Sequence, residues 1–288
     1  MNYEQFIFSM LECVREKLPK TVLVEKQEIL KNNGVIAVGL SVRKQEEPAA
    51  PIIYLEDYYE KYRMGASVET LAEHLIRRSR YIPSVPMWDY KNILDFQKIR
   101  HQVVYKLINA KRNQKLLTEV PNLPMLDFAI VFYVLISVKE GENCSILIRN
   151  THMNYWKLPI SQLYQCAKEN TRSLCPAMLR PLSDYVEIPK GEYLPESQLF
   201  ILSNEMGFYG ASAILYPQMP KRIYEALGGN YFLLPSSVHE FLAVRENYDI
   251  SPEHLKQIVR DVNKNHIEPE EYLSDEIYYF NGNIITKM

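Results

Sequence analysis

Apolar and polar residues follow two periods along this chain, and the switches between them mark the elements. Tyr3 to Leu18 sets Glu4, Glu12 and Glu16 among apolar residues, which predicts an amphipathic helix. Thr21–Val24 and Val35–Val42 are apolar runs on either side of Lys31–Gly34, and an Asn-Gly step between such runs predicts a hairpin. Ile52–Leu55 reads as a third strand and Glu56–Tyr59 as an acidic, tyrosine-rich helix start. Ser67 suits the N-cap of a helix carrying Val68, Leu71, Ala72, Leu75 and Ile76. Pro83 and Pro86 then break the chain.

From Tyr90 to Leu117, the residues Ile93, Phe96, Ile99, Val103, Leu107 and Ile108 fall at helical spacing and predict one long helix, ended by Pro121 and Pro124. Phe128–Val138 and Ser145–Arg149 predict a second hairpin around Lys139–Glu142, with a helix over Ile160–Asn170 after it. Leu199–Leu202 reads as a buried strand leaving the core at Ser203–Glu205. Gly207 and Gly210 loosen the backbone, and Pro217 or Pro220 opens a helix striped by Ile223, Ala226 and Leu227 and stopped at Gly228. Tyr231–Leu234 and Val238–Val244 predict two strands, with Pro235–Ser237 as their turn. Ser251, Pro252 and Glu253 supply the N-cap, first-position proline and first-turn acid of a helix striped by Leu255, Ile258, Val259 and Val262. Tyr278–Phe280 and Ile284–Ile285 bracket Asn281–Asn283 as a terminal hairpin.

These elements predict an α+β fold in which antiparallel sheets, built from β-hairpins, pack against helices. The strict strand–helix alternation of a doubly wound sheet is absent. Helix, hairpin, helix recurs three times, so repeated units are an expectation, although the weaker similarity of motifs does not by itself establish duplication. The prolines divide the chain into an N-terminal α+β unit over residues 1–85 and a C-terminal region over 86–288. That region splits further into two related units, 86–190 and 191–288.

Composition narrows the class. The 288 residues are 47% hydrophobic and 24% charged with a net charge of −2, as in a globular protein with no overall bias toward nucleic acid or anionic membrane. Cys13, Cys144, Cys166 and Cys175 fall at no metal-ligand spacing and read as free thiols in a reducing compartment. The N-terminus lacks a basic stretch and a cleavage site, and the longest apolar run, Phe128–Ser137, is too short to span a bilayer as a helix. The expectation is a cytoplasmic protein without a membrane segment.

Five stretches together resemble one family: NNGV at Asn32–Val35, INAKRNQKLL at Ile108–Leu117, GASAIL at Gly210–Leu215, YFLLPSSVHE at Tyr231–Glu240, and VRDVN with PEEYLSDEIYYF between Val259 and Phe280. The chain is identified as a member of the domain of unknown function 5688 family, a group of bacterial proteins. The connection from Leu179 to Pro195 looks shorter than is usual there. The resemblance implies a bacterial cytoplasmic protein and carries over no activity and no catalytic residue.

Candidate chemistry concentrates in the polar bends between Asn204 and Glu240. Asn204, Glu205, Tyr209, Ser236, Ser237, His239 and Glu240 form the candidate binding cluster. With Val238–Val244 as a strand, Ser237, His239, Phe241 and Ala243 share a face, about 6.5–7 Å between alternate residues, so Ser237 and His239 are too far apart for a local triad. No G-x-S-x-G elbow, zincin motif, Walker A loop or G-x-G-x-x-G loop occurs, so neither metal nor cofactor is implied. Lys98, Arg100, Lys106, Lys111, Arg112 and Lys115 would give the long helix a basic surface over residues 96–115, opposed in charge by the acidic Asp249–Glu276. Tyrosines cluster at Tyr58, Tyr59 and Tyr62 and at Tyr278 and Tyr279 among acids, a composition suited to a protein interface.

The sequence thus favours a non-catalytic binding, adaptor or regulatory protein with a protein partner. The alternative is a hydrolase or transferase with a site around Asn204, Tyr209 and His239. A further alternative is nucleic-acid binding through the basic segment.

Overall fold

Asn2 starts the first helix by capping it: its side-chain oxygen accepts from Gln5 N at 2.9 Å, and Gln5 Oε1 accepts from Asn2 N at 3.1 Å. The helix, α1, spans Tyr3–Glu16. It belongs to a computed structural model that describes residues 1–45, 50, 52–81, 90–139, 142–185, 199–246 and 251–288. The chain divides into two units, one of Met1–Lys31 with Val35–Asp89, the other of Asn32–Gly34 with Tyr90–Met288. The expected break at Pro83 and Pro86 lies outside the described residues.

In the first unit, β1 (Val22–Leu30), β2 (Ile36–Lys44) and β3 (Ile52–Tyr54) form an antiparallel sheet in that order. Strand β1 runs further than its apolar start predicts. Glu25 and Lys26 continue the alternation, and Glu25 pairs with Arg43 across the ladder at 3.3 Å. Helices α2 (Glu56–Arg63) and α3 (Val68–Tyr81) follow, with Ser67 Oγ accepting from Thr70 N at the start of α3. Phe6, Met10 and Val14 of α1 pack with Leu40, Ile53 and Leu75 in one core. Burying each of these larger apolar side chains contributes about 1.5–3 kcal/mol. Tyr58 belongs to that core, and Tyr59 and Tyr62 pack on Phe6 at ring distances of 5.3 and 5.2 Å. These rings fasten α2 to α1, with Tyr58 buried and Tyr59 and Tyr62 half-buried.

The second unit departs from the sequence reading at its start. No long helix runs from Tyr90 to Leu117. A 3-10 turn at Tyr90–Leu94 leads to the short α4 (Phe96–Ile99) and a second 3-10 turn at Arg100–Gln102. The chain then extends as β4 (Val103–Asn109) before the single turn α5 (Gln114–Leu117). Val103, Val104, Tyr105, Leu107 and Ile108 are all buried. Such burial on both faces, in a run rich in β-branched and aromatic residues, is the signature of a covered strand. Without that helix, the second of the three expected helix–hairpin–helix units has no leading helix.

Strand β5 (Asn122–Met125) precedes β6 (Phe128–Lys139) and β7 (Glu142–Leu147). β6 pairs with β4 along one edge, and β5 and then β7 occupy the other. Helices α6 (Asn150–Trp156) and α7 (Ile160–Leu174) come next, and Thr171 Oγ1 of α7 accepts from Tyr105 N on β4 at 3.1 Å. Strands β8 (Ala177–Pro181) and β9 (Leu199–Asn204) lead to a 3-10 turn at Gly210–Leu215 and to α8 (Met219–Leu227), which ends at Gly228 with φ 72°. β10 (Tyr231–Ser237) and β11 (Glu240–Arg245) form a hairpin, α9 spans Pro252–His266, and β12 (Tyr278–Phe280) and β13 (Ile285–Lys287) close the chain. The second sheet of this unit has the order β13-β12-β10-β11-β9-β8, all antiparallel. Leu255 and Val259 of α9 pack on Phe232, Leu234 and Val244 of that sheet. Among the described residues no helix is long and apolar enough to cross a membrane.

The tip of the β10–β11 hairpin also differs from expectation. Pro235–Ser237 is not the turn but the end of β10, where the register shifts between Pro235 and Ser237. A bulge tolerates a residue that cannot donate to the ladder, so the proline stays in the strand. The turn is Val238–His239, which lifts His239 off the strand face that the alternation assigned to it.

Candidate functional site

Four of the seven residues expected in the polar cluster do meet, at the hairpin tip. Asn204 closes β9 and is buried. Its Oδ1 accepts from Met206 N at 3.1 Å and its Nδ2 donates to Phe208 O at 3.0 Å, which winds residues 204–208 into a tight bend. That bend delivers Tyr209 with φ 53°, a left-handed conformation uncommon for a tyrosine. Tyr209 N donates to His239 Nδ1 at 3.0 Å, and the two rings stack with centroids 5.7 Å apart.

The remaining bonds pin the tip. Ser203 Oγ donates to His239 O at 2.8 Å, His239 N donates to Ser237 Oγ at 3.0 Å, and Ser212 Oγ donates to Tyr209 O at 2.7 Å. Val238 N donates to Glu271 O at 2.8 Å, and the Glu271 carboxylate lies 3.4 Å from His239 Nε2. Because Nδ1 accepts from a backbone N–H, the ring proton sits on Nε2 and faces Glu271. Gly210 fits only because it has no side chain: a Cβ there would lie 2.2 Å from Ser203 Oγ and 2.5 Å from His239 O.

Glu205, Ser236 and Glu240 stay outside this network. Glu205 is exposed and is held through its backbone N to Pro176 O at 2.9 Å. Ser236 and Glu240 are half-buried strand residues on the hairpin. Glu271 joins from a distant loop, and nothing in the local pattern of the sequence marks it.

The basic residues do not share a helix. Lys98 lies on α4, and Arg100 on the following turn donates to Gln97 Oε1 at 3.2 Å. Lys106 sits on β4 with Nζ 4.0 Å from the Tyr209 ring centroid, a cation–π contact. Arg112 lies over the Tyr272 ring at 3.3 Å, while Lys111 and Lys115 are exposed near α5. The continuous basic surface expected over residues 96–115 is broken by the strand.

A second polar group escaped the sequence reading altogether. Tyr278 Oη donates to Asp127 Oδ1 at 2.6 Å, Ser274 Oγ donates to Asp127 Oδ2 at 3.2 Å, and Lys287 Nζ lies 3.4 Å from the same oxygen. Burial, with the Asp127 carboxylate beside it, pushes the Tyr278 phenol well above its ordinary pKa. A phenol so firmly protonated is a hydrogen-bond donor and not a base, and the group ties the β5–β6 connection to β12 and β13.

A third set of groups lines an open groove between α4 and α7, with Arg100, His101, Gln162, Cys166 and Glu169 on its walls. Cys166 Sγ donates to Arg100 O at 2.9 Å, and burial raises its pKa, so the thiol is not activated. A second hollow lies along the start of α1, around Phe8. Neither of these hollows includes Asn204, Tyr209 or His239. Among the described residues, no group of three or more His, Cys, Asp or Glu side chains is placed to hold a metal ion.

No curated protein and no solved structure matches the chain. A family model does match it, over residues 3–282, and the chain belongs to that family, a family of unknown function (DUF5688).

Proposed function

We propose that this is a non-catalytic binding protein, and that the surface carrying Tyr209 and Lys106 meets a protein partner. One observation carries the reading: the polar groups at the hairpin tip are committed to the protein itself. Both nitrogens of His239 are occupied, by Tyr209 N and by Glu271, and the Ser203 and Ser212 hydroxyls donate to backbone carbonyls. The one basic lone pair of the neutral His239 ring, on Nδ1, is taken by Tyr209 N, so the imidazole can act as a general base only by breaking that bond. What the network does is hold a half-buried tyrosine in a strained backbone conformation under a lysine ammonium. Strain of that kind costs about 1–3 kcal/mol and tends to be kept at functional sites of any kind. Tyrosine combines contact area with a polar tip and suits a protein interface. The free thiols Cys13, Cys166 and Cys175 suit a reducing bacterial cytoplasm.

The hydrolase or transferase reading keeps one point in its favour, the imidazole–carboxylate pair of His239 and Glu271 at 3.4 Å. The two readings separate in one experiment. Affinity capture from native lysate with the intact chain should retain a protein that Lys106→Glu releases, and a panel of ester, amide and phosphoester substrates should stay uncut. A turnover that His239→Ala abolishes, together with captures that yield nothing, would overturn the binding reading.

A further inference from the structure

We propose that Asn33–Gly34 is a dormant deamidation site, held unreactive by the fold, whose reaction would permanently unfasten the turn that carries it. The turn Asn32–Gly34 and every group it bonds to belong to the second unit.

The chemistry needs only the chain and water. The Gly34 backbone nitrogen attacks the Asn33 side-chain carbonyl carbon, the Cγ–Nδ2 bond breaks, and ammonia leaves with a cyclic imide behind it. Water then opens the imide to aspartate or isoaspartate. One water enters, one ammonia departs, and nothing is oxidised or reduced. Glycine favours the step because no side chain shields its nitrogen.

The chain has a second such step, Asn281–Gly282, and the two are held very differently. Asn281 is exposed in the β12–β13 turn, and its Oδ1 accepts from Asn283 N at 3.1 Å and Ile284 N at 3.0 Å. Asn33 is bound on every polar atom of its side chain. Its Nδ2 donates to Pro269 O at 2.9 Å and to Tyr272 O at 2.7 Å, and its Oδ1 accepts from Asn113 Nδ2 at 2.9 Å. Its backbone N donates to Asn113 Oδ1 at 2.8 Å. Asn113 is itself buried and also donates to Asn32 Oδ1 and Asn109 O. The carboxamide nitrogen that must depart is therefore anchored to two carbonyls, and ring closure requires the turn to open first.

Reaction would also prevent the turn from closing again. A carboxylate accepts hydrogen bonds and donates none, so it would confront Pro269 O and Tyr272 O with charge where the amide offered two protons. Two hydrogen bonds are lost and replaced by repulsion between the new charge and the two carbonyl oxygens, which opposes closure of the turn. Opening is reversible before the reaction and one-way after it.

The test follows the intact protein through incubation at mildly alkaline pH, natively and in urea, with peptide mass mapping of both sites. In the native protein, conversion at Asn33 should lag conversion at Asn281 by about tenfold or more, since it waits on local opening. In urea the two rates should converge. Asn33→Asp should strip exchange protection from the residue 33 amide, and Asn281→Asp should leave that amide protected. Equal native rates at the two sites would overturn the proposal, as would full protection of that amide in Asn33→Asp. The comparison of rates needs no variant and decides the matter even where Asn33→Asp fails to fold.

Discussion

Tyr209 N donates to His239 Nδ1 at 3.0 Å, so a strained backbone residue and a hairpin-tip ring hold each other in place. His239→Ala removes the acceptor and leaves a partly buried N–H unpaired. Denaturant unfolding should show a loss of about 1–3 kcal/mol. Hydrogen exchange should place the lost protection at the Tyr209 amide, and unchanged exchange there would show that the ring does not hold the bend.

Gly210 makes a sharper test of the same tip. A methyl group at this position would sit 2.2 Å from Ser203 Oγ, 2.5 Å from His239 O and 2.7 Å from Asn204 N, two of which are backbone atoms. Gly210→Ala should destabilise the protein by about 1–3 kcal/mol or more, as overpacking does. Gly229→Ala, where a Cβ meets nothing within 4 Å, should stay within about 0.5 kcal/mol of wild type. Equal effects in urea titrations would refute the close approach.

Much of this architecture is legible in the sequence. Ser67, Ser251 with Pro252, and Gly228 mark helix ends by local chemistry alone, and each mark is where the helix begins or stops. Val103 to Ile108 mimic a helix because a covered strand and one face of a helix are both apolar, and Ile99, Val103 and Leu107 happen to fit the helical spacing. Pro124 hid β5 and Pro235 hid the end of β10, since proline in a strand is tolerated only at edges and bulges. That Asn204, Tyr209 and His239 meet is legible because their polar atoms crowd into short bends. Glu271, Asp127 and Lys106 are not legible as partners because what joins them to their clusters is tertiary, with no local pattern to announce it.

Two buried hydroxyls, of Thr171 and Tyr105, should respond differently to removal. Thr171 Oγ1 accepts from Tyr105 N at 3.1 Å, while Tyr105 Oη is buried with no hydrogen bond to any described group. Thr171→Val should cost about 1–3 kcal/mol by orphaning the Tyr105 N–H. Tyr105→Phe removes a polar atom that is already unpaired and should be neutral or mildly stabilising. Calorimetry that finds Tyr105→Phe the more damaging change would contradict this account.

His152 sets a pH dependence of defined sign. Burial, and then the Arg149 charge, holds its pKa below the ordinary 6.5, so unfolding takes up a proton as pH falls. Its contribution is complete above about pH 6.5 and is lost as pH drops from there through the lowered folded value. His152→Gln can still accept from Arg149 N, the bond that His152 Nδ1 makes at 3.0 Å, and should flatten this limb of the stability curve. The check is urea unfolding from about pH 8 to pH 5, and identical slopes for the two proteins would remove His152 from the explanation.

The sheet built on β6 has an interruption at each of two margins. On one flank Thr171 takes up the outward Tyr105 N–H of β4, and on the other Pro124 gives β5 one fewer donor to offer. Neither margin presents an unbroken row of amides on which another chain could crystallise into a ladder. Concentrated solutions should therefore resist fibrous growth from these two margins, and a chain that docks there would grip side chains instead of extending the pleat.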